Sequence, residues 1–223
     1  PVMQAEPLPA AMVQLDLTAP CLMNQRVTLH HNGMMFTSMT DLDGALQLVV
    51  PALSETAVFI ADFGNGEGAV AHSTVPELAL FDRAVAQWKG DLGLQLHALE
   101  YSAGYGEVGH IWAGAPGVRD AALRGQGGYL TRLGDFDLAE GYRAEVYTFP
   151  SGRAASAGDV RLSVETELTA DNCTRDIQAE SLQLSSGAGP VVRELTLSMP
   201  GCDTLGDFLV LNNLLQDLKI AAK

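Results

Sequence analysis

The residues of this chain that could do chemistry are few and scattered. Histidines stand at His30, His31, His72, His97 and His110. His30 and His31 are neighbours in a strand-like run, so they point to opposite faces and do not readily share one metal ion. No HxH or HExxH spacing occurs. A metal-dependent enzyme would need a site assembled across strands, and His31, His97 and His110 are its candidates. No serine lies in a GxSxG elbow. Glu165 and Glu167 share one face of a strand, the ordinary pattern of a solvated face. Gly104-Tyr-Gly-Glu-Val-Gly109 matches GxGxxG. A dinucleotide site requires a helix to open there and hold the pyrophosphate. His110-Ile-Trp-Ala-Gly-Ala-Pro116 does not sustain one. Gly64, Gly66 and Gly68 lack the Lys-Ser/Thr of a phosphate loop. Asp41-Leu-Asp-Gly44 resembles the start of a calcium loop, but position 52, where the closing Glu would fall, is Ala. The reading favoured by these residue types is a turn, with Gly44 at positive φ. No catalytic group, cofactor or dedicated metal site follows from the spacing.

Aromatic residues are more suggestive. Trp88, Tyr101, Tyr105 and Trp112 gather near the middle of the chain. Trp and Tyr fill cores, and they also dominate recognition surfaces. The loop from Tyr101 to Trp112 is the leading candidate for a ligand or partner surface. The cysteines are Cys21, Cys173 and Cys202. Cys173 and Cys202 both sit in polar, turn-like contexts just beyond strand-like runs, where buried structural thiols are uncommon. We expect a Cys173–Cys202 disulfide, and with it an oxidising compartment. Three free thiols in a cytosolic protein is the competing reading. Cys21 is left over, either free or bonded to a partner.

The elements that must position these groups are strands. Val13, Leu15 and Leu17 alternate with Gln14 and Asp16, the mark of a half-buried strand. Val27 to His31 and Met34 to Met39 flank Asn32-Gly33, a strong two-residue hairpin signal, though a bulge in one long strand also fits. Further strand patterns cover 45–50, 57–63, 69–75, 84–89, 94–101, 129–133, 143–149, 159–169, 177–184 and 191–198. Segment 208–222 fits either a helix or a strand, a turn and a final strand or short helix, and the second reading is preferred. Ser185 to Gly189 reads as a hairpin loop.

These intervals predict an all-β protein of two β-sandwich domains in tandem, Ig-like or transthyretin-like. The expected boundaries are a Pro/Ala-rich linker at 1–11, an N-terminal sandwich at 12–112, a connection at 113–128 with one helical turn near Arg119 to Arg124, and a C-terminal sandwich at 129–223. The chain has 13 basic and 27 acidic residues, a formal charge of −14. That balance lacks the positive patch that nucleic acid or an anionic membrane surface requires. No apolar stretch approaches the roughly 20 residues of a spanning helix. The start at Pro1 followed by a linker leads us to expect an upstream signal peptide or membrane anchor.

Thr40, Asp41 and Gly44, with Leu46, Leu48 and Val50 following, resemble the Thr-Asp-x-x-Gly turn and core strand of transthyretin-like (carboxypeptidase regulatory-like) β-sandwich domains. The likeness covers the first half of the chain and implies an accessory, structural or binding module. Overall the chain is similar in style to uncharacterised exported envelope proteins of Gram-negative bacteria, which implies a periplasmic or otherwise exported protein, with an N-terminal anchor upstream of Pro1 as its one expected tie to the membrane. Three functional readings follow. The first is a non-catalytic structural or interaction subunit whose partner is an envelope or membrane protein. The second is a carbohydrate-binding module with an aromatic platform, and the third is the cross-strand metal enzyme.

Overall fold

Turn chemistry sets the strand boundaries. Asn32 and Gly33 take φ of 53° and 91°, the left-handed pair that a two-residue hairpin demands. The 41–44 turn is closed by the Asp41 carboxylate, which accepts from the amides of Asp43 (2.9 Å) and Ala45 (2.7 Å), with Gly44 at φ 73°. The computed structural model describes residues 1–185 and 188–223, so part of the expected 185–189 hairpin loop lies outside the described residues.

Among the described residues the strands are antiparallel and fall into four sheets. Strands β1 (Val2–Leu8), β2 (Met12–Thr18), β3 (Arg26–His31), β4 (Met34–Met39), β5 (Ala45–Pro51), β6 (Thr56–Asp62) and β7 (Gly68–Thr74) form two of them, ordered β1-β2-β5 and β4-β3-β6-β7. The remaining strands are β8 (Asp82–Lys89), β9 (Leu94–Glu100), β10 (His110–Ile111), β11 (Tyr129–Leu133), β12 (Tyr142–Phe149), β13 (Gly158–Glu167), β14 (Asp176–Leu184), β15 (Val191–Ser198), β16 (Phe208–Leu211) and β17 (Leu218–Ile220). They make a central sheet β11-β12-β8-β14-β15 and a fourth sheet β10-β9-β13-β16, with β17 also paired to β13. The fold is all-β, as the periodicity implies. The ambiguous end resolves into strand, turn and strand, and a helical turn, α1 (Arg119–Leu123), lies within the expected 119–124 stretch.

Two expectations are corrected. Residues 1–11 are not a linker, because β1 pairs with β2 along its whole length and Ala10 and Ala11 are fully buried. The division at 113–128 does not coincide with a boundary between sheets. Strand β8 pairs with β12 and β14, and β9 pairs with β13, so both belong with the second half of the chain. Segment 113–128 simply carries the chain from β10 to β11.

The central sheet is buried on both faces. Val85, Ala144, Val146, Leu182 and Leu184 face a core shared with the first seven strands. Ala84, Ala86, Trp88, Tyr147, Phe149 and Ile177 face a second core shared with the fourth sheet. Such a strand reads as a continuous apolar run rather than an alternation, and β8 is buried from Asp82 to Trp88. The N-terminal sheets are fastened to it by polar side chains. Gln87 accepts from the Met35 amide (2.9 Å) and donates to Gly33 O (2.9 Å), which docks the tip of the β3–β4 hairpin. Arg83, wholly buried, donates to the carbonyls of Ala10 (2.7 Å), Ala11 (2.8 Å) and Ala52, and to Thr148 Oγ1 (3.2 Å). Burial pulls its pKa down to about 10, which leaves it charged at neutral pH. Those carbonyls belong to the β1–β2 turn and the end of β5, so one guanidinium joins three segments.

The Cys173–Cys202 disulfide is present, with Cα atoms 5.2 Å apart and a sequence separation of 29. Closing such a loop contributes about 3.5 kcal/mol on the chain-entropy account. It ties the segment after β13 to the one after β15. Cys21 is exposed and free. The disulfide points to an oxidising, exported compartment. Among the described residues, no helix is long and apolar enough to cross a membrane.

Replacing Arg83 removes the side-chain donor from the carbonyls of Ala10 and Ala52 and leaves Ala11 O with only the Ala52 amide (3.0 Å). Arg83→Met is expected to lower the unfolding free energy by about 3–5 kcal/mol in urea titrations, and a loss under about 1 kcal/mol would remove Arg83 as the anchor.

Candidate functional site

Alternation along β13 sends Val160 and Val164 into the second core, so Ser163 and Glu165 point outward. His97 lies opposite Ser163 in the β9–β13 register. After β9 the chain reverses through Tyr101 and Ser102, both at positive φ (52° and 67°), and the Ala103 amide donates to Glu100 O. Gly106 and Gly109, also at positive φ, let the loop fold back over the outer face, where His110 and Ile111 pair with Leu99 and Ala98. The GxGxxG stretch is this loop, and the strand β10 follows it where a nucleotide site would need a helix.

The folded loop assembles a stacked cluster. The rings of His97 and His110 lie nearly parallel to Trp112, at 12° and 9°, with centroids 5.4 and 5.6 Å away. Tyr105 meets His110 edge-on at 5.0 Å. The Gly106 amide donates to His110 Nδ1 (2.9 Å). That network places the His110 proton on Nε2, which then donates to His97 Nδ1 (2.8 Å). The His97 proton falls on Nε2, a buried atom with no partner. Glu165 accepts from the Tyr105 hydroxyl and from Ser163 Oγ (2.7 Å). Burial lowers the pKa of both histidines, against the pull of Glu165, and the His110 charge lowers His97 further. Burial, then the bond to Glu165, raises that of Tyr105.

This arrangement decides among the sequence candidates. Tyr105 and Trp112 come together, with His97 and His110 beneath them. Trp88 and Tyr101 do not join them. Trp88 lies in the second core, edge-on to Phe136 at 6.3 Å, and Tyr101 turns its hydroxyl to Ser156 O (3.1 Å). His31 sits in the first core, stacked on Phe59 at 4.2 Å. Its Nδ1 donates to Val58 O (2.8 Å) and its Nε2 accepts from the Leu53 amide (2.8 Å), so it joins no cross-strand site with His97 and His110. Among the described residues, no group of three or more His, Cys, Asp or Glu side chains is placed to hold a metal ion. The strand pattern predicts a solvated face for Glu165, but Tyr105 covers it and it is 6 % exposed. Nothing in the sequence joins two residues 60 positions apart.

In the neutral state both histidine lone pairs are occupied, and Ser163 is bonded to Glu165 rather than to an imidazole. The cluster holds neither a base–nucleophile pair nor an open metal ligand. It is an aromatic surface whose polar atoms, apart from the buried His97 Nε2–H, satisfy one another. No protein-family model and no curated protein sequence matches the chain. The transthyretin-like resemblance therefore rests on the 40–44 turn.

Two pH effects follow. Protonating either cluster histidine breaks a hydrogen bond beneath Trp112. Their lowered pKa values place the event below the ordinary 6.5. A change in tryptophan fluorescence on acidification below that pH is expected, and it should vanish in Trp112→Phe. A change that survives in this variant would belong to Trp88. His31 has a folded-state pKa of about 4 against an ordinary 6.5, because burial disfavours its charged form. Its contribution is therefore complete above pH 6.5 and is lost as pH falls toward 4, about 3 kcal/mol in all. Urea midpoints across that window should fall less steeply in His31→Gln than in the parent. Equal slopes would refute the assignment.

Proposed function

We propose that this protein is a non-catalytic interaction subunit of the cell envelope, periplasmic or otherwise exported, that meets a partner protein through the outer face of the 101–112 loop. The observation that carries this reading is that Tyr105, Ser163, Glu165, His110 and His97 Nδ1 bond to one another, with only the buried His97 Nε2–H unpartnered, which leaves an aromatic surface without a paired base and nucleophile. Tyr105 and Val108 are exposed on the loop, while Trp112 is half-buried beneath it. Fixed aromatic groups lose little conformational entropy on binding, which favours them as anchors. The disulfide fits the exported compartment. The acidic balance of the chain favours a partner surface that is not itself strongly acidic. A carbohydrate platform fits less well, because the Trp112 ring already lies against two imidazoles and over Gly114, where a Cβ would fall 2.4 Å from the ring.

A photo-crosslinking residue at Val108, used in intact cells of the source organism, tests the reading. A discrete protein adduct is expected, and Trp112→Ala and Tyr105→Ala should each reduce it by more than about fivefold. The absence of an adduct, or one indifferent to both substitutions, would reject this surface.

A further inference from the structure

The inner side of the same loop forms one wall of a cleft of about 510 Å³, closed on the other side by residues 117, 118, 121 and 126–128. At its base lies Glu100, at the end of β9 and only 7 % exposed. One carboxylate oxygen, Oε1, is committed, accepting from the Gly128 amide (2.7 Å) and from the Tyr147 hydroxyl (2.6 Å). No hydrogen bond reaches Oε2 among the described residues, and it is not among the buried atoms sealed from solvent without a partner. Gly127 explains how the backbone comes so close. Its φ of 135° is a glycine conformation, and a Cβ there would stand 2.8 Å from Oε2.

Among the described residues no lysine, arginine or histidine pairs with this carboxylate. The cleft is lined by Glu100 and Glu107 and by no lysine, arginine or histidine. Arg124, on the arm that forms the far wall, is held by Gln126 Oε1 (3.0 Å). Burial pushes the Glu100 pKa up, against the two hydrogen bonds that stabilise its charge. The walls above it are apolar, supplied by Val108, Ile111 and Val118. A single open carboxylate oxygen beneath apolar walls suits a point charge on an aliphatic stem. A guanidinium gains most from two oxygens at once, and here one of them is already taken.

We propose that this cleft binds an alkylammonium group, the ammonium against Glu100 Oε2 and the aliphatic stem against Val108, Ile111 and Val118. The group comes either from a lysine side chain of a partner protein or from a free polyamine. The proposal stands on different side chains from the aromatic face and does not require that face to be the partner surface.

Amide resonances of Gly127 and Gly128 in the intact protein read the site directly. Titration with N-acetyl-lysine methylamide or spermidine should shift both saturably. N-acetyl-arginine methylamide should bind more weakly, and N-acetyl-norleucine methylamide, which keeps the stem without the charge, should not shift them. Tighter binding of the lysine amide than of spermidine assigns the cleft to a partner's side chain, and the reverse order assigns it to a polyamine. Glu100→Gln keeps the acceptor for Gly128 and Tyr147 and is expected to weaken binding by more than about tenfold. Since Glu100 is buried, Val118→Lys, at a position 61 % exposed, gives a second test by placing an ammonium of the chain's own at the cleft. It should abolish the shifts with the fold intact. Equal shifts with the norleucine amide, no shift with either ammonium, or undiminished binding in both variants would overturn the proposal. None of these results depends on the crosslink at Val108, so the two readings fail separately.

Discussion

The Arg83 guanidinium is the interaction on which the rest of this structure depends. It is a buried charge without a carboxylate bonded to it, held instead by the carbonyls of Ala10, Ala11 and Ala52. Ala10 and Ala11 both adopt left-handed backbone, at φ 65° and 53°. That conformation disfavours an alanine by about 1–2 kcal/mol. The cage and the turn support each other, since the turn aims its carbonyls at the guanidinium and the guanidinium holds the turn. Through this contact β1 becomes a strand, and the N-terminal sheets seat on the central one.

A central sheet buried on both faces then fixes what lies beyond it. Buried Glu145, on β12, reaches the fourth sheet, where Oε2 accepts from the Leu96 amide (2.7 Å), while Oε1 accepts from Arg132 Nε (3.0 Å). Arg132 in turn lies over the Phe136 ring at 3.8 Å. Burial raises the Glu145 pKa, and the bonds to Leu96 and Arg132 oppose that rise. This link registers β9 against β12, and β9 carries His97 on its outer face and Glu100 on its inner one. One strand thus supplies a residue to each candidate surface.

The two surfaces lie on opposite sides of one loop, and they differ in how their polar groups are satisfied. Outside, His97, His110, Tyr105, Ser163 and Glu165 bond among themselves, which suits recognition by shape and aromatic contact. Inside, Glu100 is only half satisfied, which suits recognition by charge. The loop takes both roles because Tyr101 and Ser102 turn it sharply and two glycines at positive φ fold it flat against the sheet.

The amino-acid sequence by itself determined much of the local structure. The Asn32-Gly33 hairpin, the turn closed by Asp41, the strand alternation and the turn-like contexts of Cys173 and Cys202 all follow from neighbours in sequence, where backbone sterics and side-chain period act directly. Tertiary structure alone decided the rest. Ala10-Ala11 carries neither the glycine nor the asparagine that would mark a left-handed turn, and a guanidinium 72 positions away helps to hold it as one. Strand β8 reads as the end of an N-terminal unit, yet it is the middle of the central sheet, because burial on both faces erases the alternation that reports a strand's surroundings. Glu165 reads as part of a solvated face, and no sequence pattern singles out Glu100. Their roles come from Tyr105 and Gly127, brought to them by long-range pairing whose partners no local pattern encodes.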